Sequence, residues 1–310
     1  MKISFAIPCY GSEGTIESVV DELKQAMLTL PDYAFEIIMV SDASPDNVYQ
    51  VIRKICEADP EHCTGAELAR NFGQHAALMA AYRMASGNYI LSLDDDGQAP
   101  VEAVPQMIAA LQEQDLVFGS YDHKKHNVFR NLGSKVNEWM AEFLLGKPDK
   151  LQITSFFAMR RFIKDEILKY DNAYPYLLGL LLRTTKNIVN VPVNHRERTI
   201  GQSGYTFRKL LRLWINGFTA FSVVPLRLAT LCGFLCAFLG LCGVLWCIIN
   251  KLLRPAVPLG YSSLMTVIIF VGGMLMLMLG MIGEYIGRTY ICINKAPQYV
   301  IRNTTGQDHE

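Results

Sequence analysis

Over the first 120 residues, short runs of apolar side chains alternate with longer stretches whose apolar positions recur every three to four residues. The short runs predict buried strands at Ile3–Pro8, Phe35–Ser41, Gly65–Leu68 and Tyr89–Leu93. The longer ones predict amphipathic helices at Thr15–Leu30, near Asn47–Ala58 and near Gln74–Met84. Alternation of this kind makes a parallel α/β sheet covered by helices on both faces. The amino-terminal apolar run is too short for a signal peptide and reads as the first strand.

Polar punctuation falls where those strands end. Pro8-Cys-Tyr-Gly-Ser-Glu follows the first, Ser41-Asp-Ala-Ser-Pro-Asp-Asn the second, Ala69-Arg-Asn-Phe-Gly-Gln the third and Asp94-Asp-Asp-Gly-Gln the fourth. Open parallel sheets bind ligands outside the carboxyl ends of their strands. The four loops therefore mark one crevice.

The pattern changes completely near residue 228. Arg227 and Lys251 enclose 23 uncharged residues, and Arg254 and Glu284 enclose 29 more. At about 1.5 Å rise per residue, roughly 20 apolar residues cover the hydrocarbon layer, so each stretch is long enough to cross once. The alternative, two buried core helices, is disfavoured because soluble helices seldom run so far without charge on any face. Cations flank the outer ends: Arg208, Lys209, Arg212 and Arg227 before, and Arg288, Lys295 and Arg302 after. Against two in the intervening loop, this excess predicts both termini in the cytoplasm. From Tyr205 to Arg227, cations at 208, 209 and 212 alternate with apolar residues at 207, 210, 211 and 213–215, which fits a helix lying at headgroup level or one packed on the body. The expected organisation is a catalytic body over 1–204, an interfacial segment over 205–227, spans at about 228–250 and 260–283 within 228–287, and a tail over 288–310.

Composition agrees once it is read by region. Equal numbers of basic and acidic residues, 29 each, and 19% charged residues exclude a disordered chain and a nucleic-acid binder driven by bulk positive charge. The mean hydropathy of +0.18 averages a soluble body with an apolar hairpin. Four of the eight cysteines lie in that hairpin and no C-x-x-C pair occurs, so neither disulfide staples nor a cysteine metal cluster is expected.

The sharpest chemical signal is Asp94-Asp95-Asp96-Gly97-Gln98 after an apolar strand. Adjacent carboxylates repel one another, and a hard divalent cation shared with substrate phosphates relieves that repulsion. A solvated acidic loop is the bland alternative, weakened by the other strand-end acids Asp42 and Asp46. Asp46 fits a helix N-cap equally well. His75, His123, His126 and His195 lack a ligand-like spacing, and the aromatic pairs Phe156-Phe157 and Tyr174/Tyr176 suit packing.

Together Pro8-Cys-Tyr, Ser41-Asp-Ala-Ser-Pro-Asp-Asn, Arg70-Asn-Phe-Gly-Gln-His, Asp94-Asp-Asp-Gly-Gln-Ala-Pro and Arg198-Thr-Ile-Gly-Gln-Ser-Gly-Tyr resemble family 2 glycosyltransferases of the polyprenyl-phosphate branch. The likeness covers residues 1 to about 290. Within the branch the chain is most similar to bacterial undecaprenyl-phosphate sugar transferases, and more distantly to dolichol-phosphate mannose synthase. The resemblance implies a GT-A, Rossmann-like fold binding a nucleotide-diphosphate sugar, with a UDP-sugar favoured. It implies that Pro8, Tyr10 and Asp42 line the nucleoside pocket, with Asp95 and Ser203 also on the donor. Asp94 and Asp96 match the D-x-D element, with Mg²⁺ or Mn²⁺ on Asp96 and Gln98, and Arg130 and Arg198 match positions that hold phosphates. The chain departs from the family in D-D-D-G-Q for D-A-D-L-Q, Gly204 for a lysine, Tyr121 for an arginine, and no acid in Gln152-Ile-Thr-Ser-Phe-Phe.

The expected reaction is metal-dependent, inverting transfer to undecaprenyl phosphate for a cell-envelope glycan or lipid. An alcohol acceptor needs a base, whereas a phosphate monoester is largely dianionic at neutral pH. The lack of an acid at 152–155 fits the second, although Asp149 is a base this reading leaves aside. Residues 183–227 carry eight Lys or Arg against Glu197 alone, which suits anionic headgroups as well as a lipid phosphate. Self-association is compatible with this reading. Two other classes fit the sequence less well. A processive polysaccharide synthase normally has more membrane helices and a Q-x-x-R-W element, absent here, and a noncatalytic sugar-nucleotide subunit has no use for the whole acidic and basic set.

Overall fold

The computed structural model describes residues 1–121, 151–173, 175–194, 260–294 and 296–305, with scattered helical positions between 230 and 253. The chain divides into two units, one of Met1–Thr206 with Lys295–Glu310, the other of Phe207–Asn294.

The first unit is built on an eight-stranded sheet. Its strands are β1 (Lys2–Cys9), β2 (Ala34–Ser41), β3 (Cys63–Leu68), β4 (Tyr89–Ser92), β5 (Leu116–Tyr121), β6 (Phe157–Arg160), β7 (Ile188–Val193) and β8 (Ile301–Thr305). They lie in the order β7-β5-β6-β4-β1-β2-β3-β8. The helices of this unit are α1 (Ile16–Met27), α2 (Val48–Ala58), α3 (Gln74–Met84), α4 (Val104–Ala110), α5 (Arg161–Ile167) and α6 (Leu177–Thr184). All four predicted strands and three predicted helices are present, with ends shifted by at most three residues.

Strands β4, β1, β2 and β3 run parallel, as the alternation predicts. Beyond β4 the sheet is mixed: β6 is antiparallel to both β4 and β5, while β7 is parallel to β5. Burial on both faces explains why the parallel strands read as continuous apolar runs. Ile3, Phe5, Ile7, Ile37 and Met39 join Ile16, Leu23 and Ile52 in one core, while α3 packs against β1 and β2 with Ala77, Ala81 and Tyr82 buried.

The strand order reverses at β1. The chain moves from β1 to β2 and β3 on one side, then returns to place β4 on the other. A crevice opens where the loops after β1 and β4 diverge. Pro8 fits here because Ala6 C=O accepts the Leu93 N–H, so Pro8, two residues on, turns the same edge past Ser92, the last β4 residue paired to β1. The ladder there needs no donor.

One strand was not foreseen. Within the segment read as a tail, Ile301–Thr305 forms β8 and pairs antiparallel with β3. Gly65 of β3 makes room for it, since a Cβ there would lie 2.4 Å from Ile52 Cγ2 and 2.9 Å from Thr305 Cγ2.

The second unit contains α7 (Tyr261–Ile293), a 33-residue helix. Its window Phe270–Gly287 is long and apolar enough to cross a membrane, and none of that window is buried. The helix runs ten residues past the predicted end of the second span. Every described position between 230 and 253 is helical, with Phe234 and Trp246 each 70% exposed. A Cβ on Gly233 would lie 2.7 Å from Met278 Cε, so the two apolar segments approach closely there.

Candidate active site

Three loops at the carboxyl ends of β1, β2 and β4 are stitched together by hydrogen bonds. Tyr10 N–H donates to Asp95 Oδ2 at 2.8 Å, and the Thr15 hydroxyl donates to the Asp95 carbonyl at 2.6 Å. Gly11 N–H donates to Ser44 Oγ at 2.7 Å, and Ser44 in turn donates to Asp46 Oδ1 at 2.5 Å. Asp46 Oδ2 accepts the Glu13 N–H at 2.9 Å, while Glu13 Oε2 accepts the Asn47 N–H at 3.1 Å. Asp46 thus acts mainly as loop cement. The Tyr10 ring, 55% exposed, stands at the rim, where an aromatic face suits a nucleoside base.

Asp42, 3% exposed, ends β2 and faces the β3–α3 loop. Its Oδ1 accepts the Phe72 N–H at 2.7 Å and its Oδ2 the Gly73 N–H at 2.8 Å. Burial pushes this carboxyl above its ordinary range despite both donors. Gly73, at φ 95, adopts a backbone that side chains resist and aims the two amides at one carboxylate. Each Asp42 oxygen keeps a second lone pair.

The acidic loop after β4 gives its three carboxylates different surroundings. Asp94 Oδ1 accepts from Gln74 Nε2 at 2.7 Å, and its Oδ2 accepts from Ser155 Oγ at 2.5 Å. Burial, with the neighbouring Asp94 charge adding to it, pushes Asp95 up to about 6 although the Tyr10 N–H opposes the shift. Asp96 Oδ1 accepts the Gln98 N–H at 3.1 Å across a turn in which Gly97 takes φ 72. Tyr121, at the end of β5, is half-buried, and its hydroxyl is pushed above the usual phenol range first by burial and then by Asp94 and Asp96.

Among the described residues no group of three or more His, Cys, Asp or Glu is arranged to hold a metal ion. The Asp96 carboxylate and the Gln98 side-chain carbonyl are nevertheless oxygen ligands of the kind a hard cation takes. Such a cation completes its shell with water and substrate phosphates rather than with a protein cage. Asp96 with Gln98 fits that arrangement.

Of the predicted residues, Pro8, Tyr10, Asp42, Asp94, Asp95, Asp96 and Gln98 all lie at one end of the sheet. Arg130, Arg198, Ser203 and Asp149, the interfacial segment 205–227, and His123, His126, His195 and Tyr174 lie outside the described residues. Gln74 and Ser155 had not been assigned a role. Gln74 stood in the quoted Arg70–His75 motif, but its contact depends on how α3 meets β4. His75 Nδ1 accepts the Leu177 N–H at 3.2 Å, and burial lowers its basicity. Phe156 and Phe157 are core residues, and Cys9, Cys56 and Cys63 are buried free thiols.

The model of the Glycosyl transferase family 2 matches residues 4–169, which contain all of these strand-end loops through Ser155. The chain belongs to this glycosyltransferase family. In this family 2 glycosyltransferase, residues 224–289 also match the GtrB C-terminal hairpin, which places both apolar segments in one membrane-associating module.

Among curated relatives, the undecaprenyl-phosphate 4-deoxy-4-formamido-L-arabinose transferase of Klebsiella pneumoniae is 29% identical over 309 residues, covering 99% of this chain and 94% of the relative. The enzyme of the same name from Proteus mirabilis is 28% identical over 308 residues, covering 98% and 94%. Among solved structures, glucosyl-3-phosphoglycerate synthase from Mycobacterium tuberculosis, in complex with Mn²⁺ and uridine-diphosphate-glucose, matches with a TM-score of 0.51 and 21% identity, covering 70% of this chain and 77% of that one. This likeness establishes the GT-A fold of the body.

Proposed function

We propose that this glycosyltransferase moves a sugar from a nucleotide-diphosphate sugar, a UDP-sugar first among them, to undecaprenyl phosphate. The product is a monophosphate-linked sugar lipid made at the cytoplasmic face of the inner membrane. The observation that carries this reading is the match to undecaprenyl-phosphate transferases over 99% of the chain, hairpin included. A soluble acceptor would give the hairpin no task.

In the reaction, a phosphate oxygen of the lipid bonds to the anomeric carbon as the bond from that carbon to the nucleoside diphosphate breaks. Attack from the opposite face inverts the centre. A lipid phosphate is already anionic, so no side chain has to remove a proton. The strand entry at 152–155 supports this: it has no acid, and Ser155 donates its hydrogen bond to Asp94 instead. Tyr10 and Asp42 border the nucleoside, and Asp94 and Asp95 shape the donor side. Asp96 and Gln98 would hold Mg²⁺ or Mn²⁺, which neutralises charge on a departing diphosphate. Arg130, Arg198 and Ser203 are assigned to the phosphates, where guanidinium forks give oriented donors.

The test is to incubate the purified protein with UDP- and GDP-sugars plus either undecaprenyl phosphate or undecaprenol, and to weigh the lipid product. Transfer to the phosphate alone is expected. Equal transfer to the free alcohol overturns the acceptor, and no transfer from any nucleotide sugar overturns the reaction.

A further inference from the structure

The chain returns from its apolar hairpin to grip one particular loop. Ala69 N–H donates to the Val300 carbonyl at 2.8 Å, and Arg302 Nη2 donates to the Ala69 carbonyl at 2.8 Å. Both backbone groups of Ala69 are thus held by the segment leading into and forming β8. The β3–β8 register shifts between Glu67 and Leu68, immediately before this clamp, and Asn303 Nδ2 donates to Glu67 Oε2 at 2.7 Å beside it. At the other end of the strap, Gln298, 8% exposed, donates from Nε2 to the carbonyls of Tyr170 at 3.3 Å and Asn172 at 3.1 Å.

Ala69 opens the loop that serves the crevice. Three and four residues on, Phe72 and Gly73 give their amides to Asp42, and the next residue, Gln74, gives its side chain to Asp94. Asn71 Nδ2 adds a bond to the Asp42 carbonyl at 3.4 Å, and the Arg70 guanidinium lies 4.5 Å from the centre of the Phe72 ring. The loop is short and internally braced, so a shift at Ala69 is passed to Gly73 rather than absorbed. The strap contributes little to the core: Val300 is 43% and Ile301 37% exposed. Its contacts are mainly polar, and they concentrate on this loop and the strand that feeds it.

We propose that Gln298–Asn303 belongs to the donor site as a positioning element, with Arg302 as the residue that sets the Ala69–Gln74 loop against Asp42 and Asp94. This rests on the nucleotide-sugar reading above. Loss of the clamp loosens the loop's bonds to Asp42 and Asp94, both of which that reading assigns to the donor, so it weakens donor binding more than turnover.

The experiment uses the full chain in lipid nanodiscs with Arg302→Ala, Arg302→Lys and Asn303→Ala. Two readouts are taken: amide hydrogen exchange at Phe72 and Gly73, which needs no substrate, and steady-state kinetics with the nucleotide sugar that the wild type uses. Losing one such hydrogen bond should speed exchange at both amides by about fivefold and raise donor KM by roughly threefold to tenfold in Arg302→Ala, with kcat and acceptor KM within about twofold. Arg302→Lys retains a cation that reaches the carbonyl, so it should recover most of the donor KM. Unchanged exchange at Phe72 and Gly73 overturns the proposal, as does equal loss in kcat and KM(donor), which marks general destabilisation. Should Arg302→Ala lose its cooperative melt, Asn303→Ala must still shift both readouts in the same direction, and no shift there also overturns it. A wild type that turns over no nucleotide sugar defeats the reaction assigned above, while the exchange readout still decides the clamp.

Discussion

Ser155 donates to Asp94 at 2.5 Å, joining two residues 61 positions apart in the chain. The bond crosses from the strand entry before β6 to the acidic loop after β4, and these two strands are antiparallel neighbours. Where a carboxylate base would add a second negative charge against Asp94, a hydroxyl donates to it. Ser155→Ala should therefore lower kcat about threefold to tenfold, the effect of one charge-assisted hydrogen bond, and Ser155→Thr should restore most of it. Ser155→Asp places like charges together and should be worse than alanine. Saturating-donor kinetics on the three variants checks the order.

Asp96 is the carboxylate assigned to the cation. Asp96→Asn removes a charge at nearly constant shape, and activity should fall by about a hundredfold or more if charge neutralisation at the diphosphate is lost. EDTA should abolish wild-type turnover, and Mg²⁺ or Mn²⁺ added back should restore it. Wild-type turnover that survives EDTA counts against the assignment.

Asp95 links the fold to pH. Its carboxyl is pushed up to about 6 in the folded chain, above its unfolded value, so the native state holds the proton more tightly. Its contribution to stability is therefore unpenalised below about pH 4 and lost as pH rises through about 6, at a cost on the order of 1–2 kcal/mol in this part-exposed setting. Asp95→Asn should flatten the stability curve between those values. Urea unfolding of both proteins from pH 4 to 7 provides the comparison.

Gly233 and Met278 define a close approach in the hairpin. The Met278 methyl can swing aside for a small group, so Gly233→Ala should be tolerated, whereas Gly233→Leu should cost about 1–3 kcal/mol through overpacking. Met278→Ala should rescue the leucine variant. Thermal unfolding in detergent, measured over the full double-mutant cycle, tests the contact.

The parallel half of the sheet was legible because burial on both faces leaves an unmistakable apolar run, as in Ile3–Pro8. The crevice was legible because its acids stand at the ends of those runs. What the pattern could not show was pairing. Phe157–Arg160 reads the same whether it lies parallel or antiparallel, and its place between β4 and β5 depends on contacts far apart in sequence. The strand Ile-Arg-Asn-Thr-Thr at 301–305 is short, charged and mostly exposed, as edge strands usually are, so it carries no alternation to detect. Gln74 and Ser155 became visible as partners only when α3 and the β6 entry met the same aspartate.

The return of the chain to β3 also fixes a parity. Residues on both sides of the 207–294 unit fold into one sheet, and no strand pairing such as Ala66 with Thr304 can form across a bilayer. The intervening chain must therefore cross the membrane an even number of times. A crossing by α7 obliges a second one, whatever the distribution of lysine and arginine around it. The finished sheet thus holds both flanks of the hairpin on one side of any membrane it crosses, and the choice of side is left to the charges that flank it.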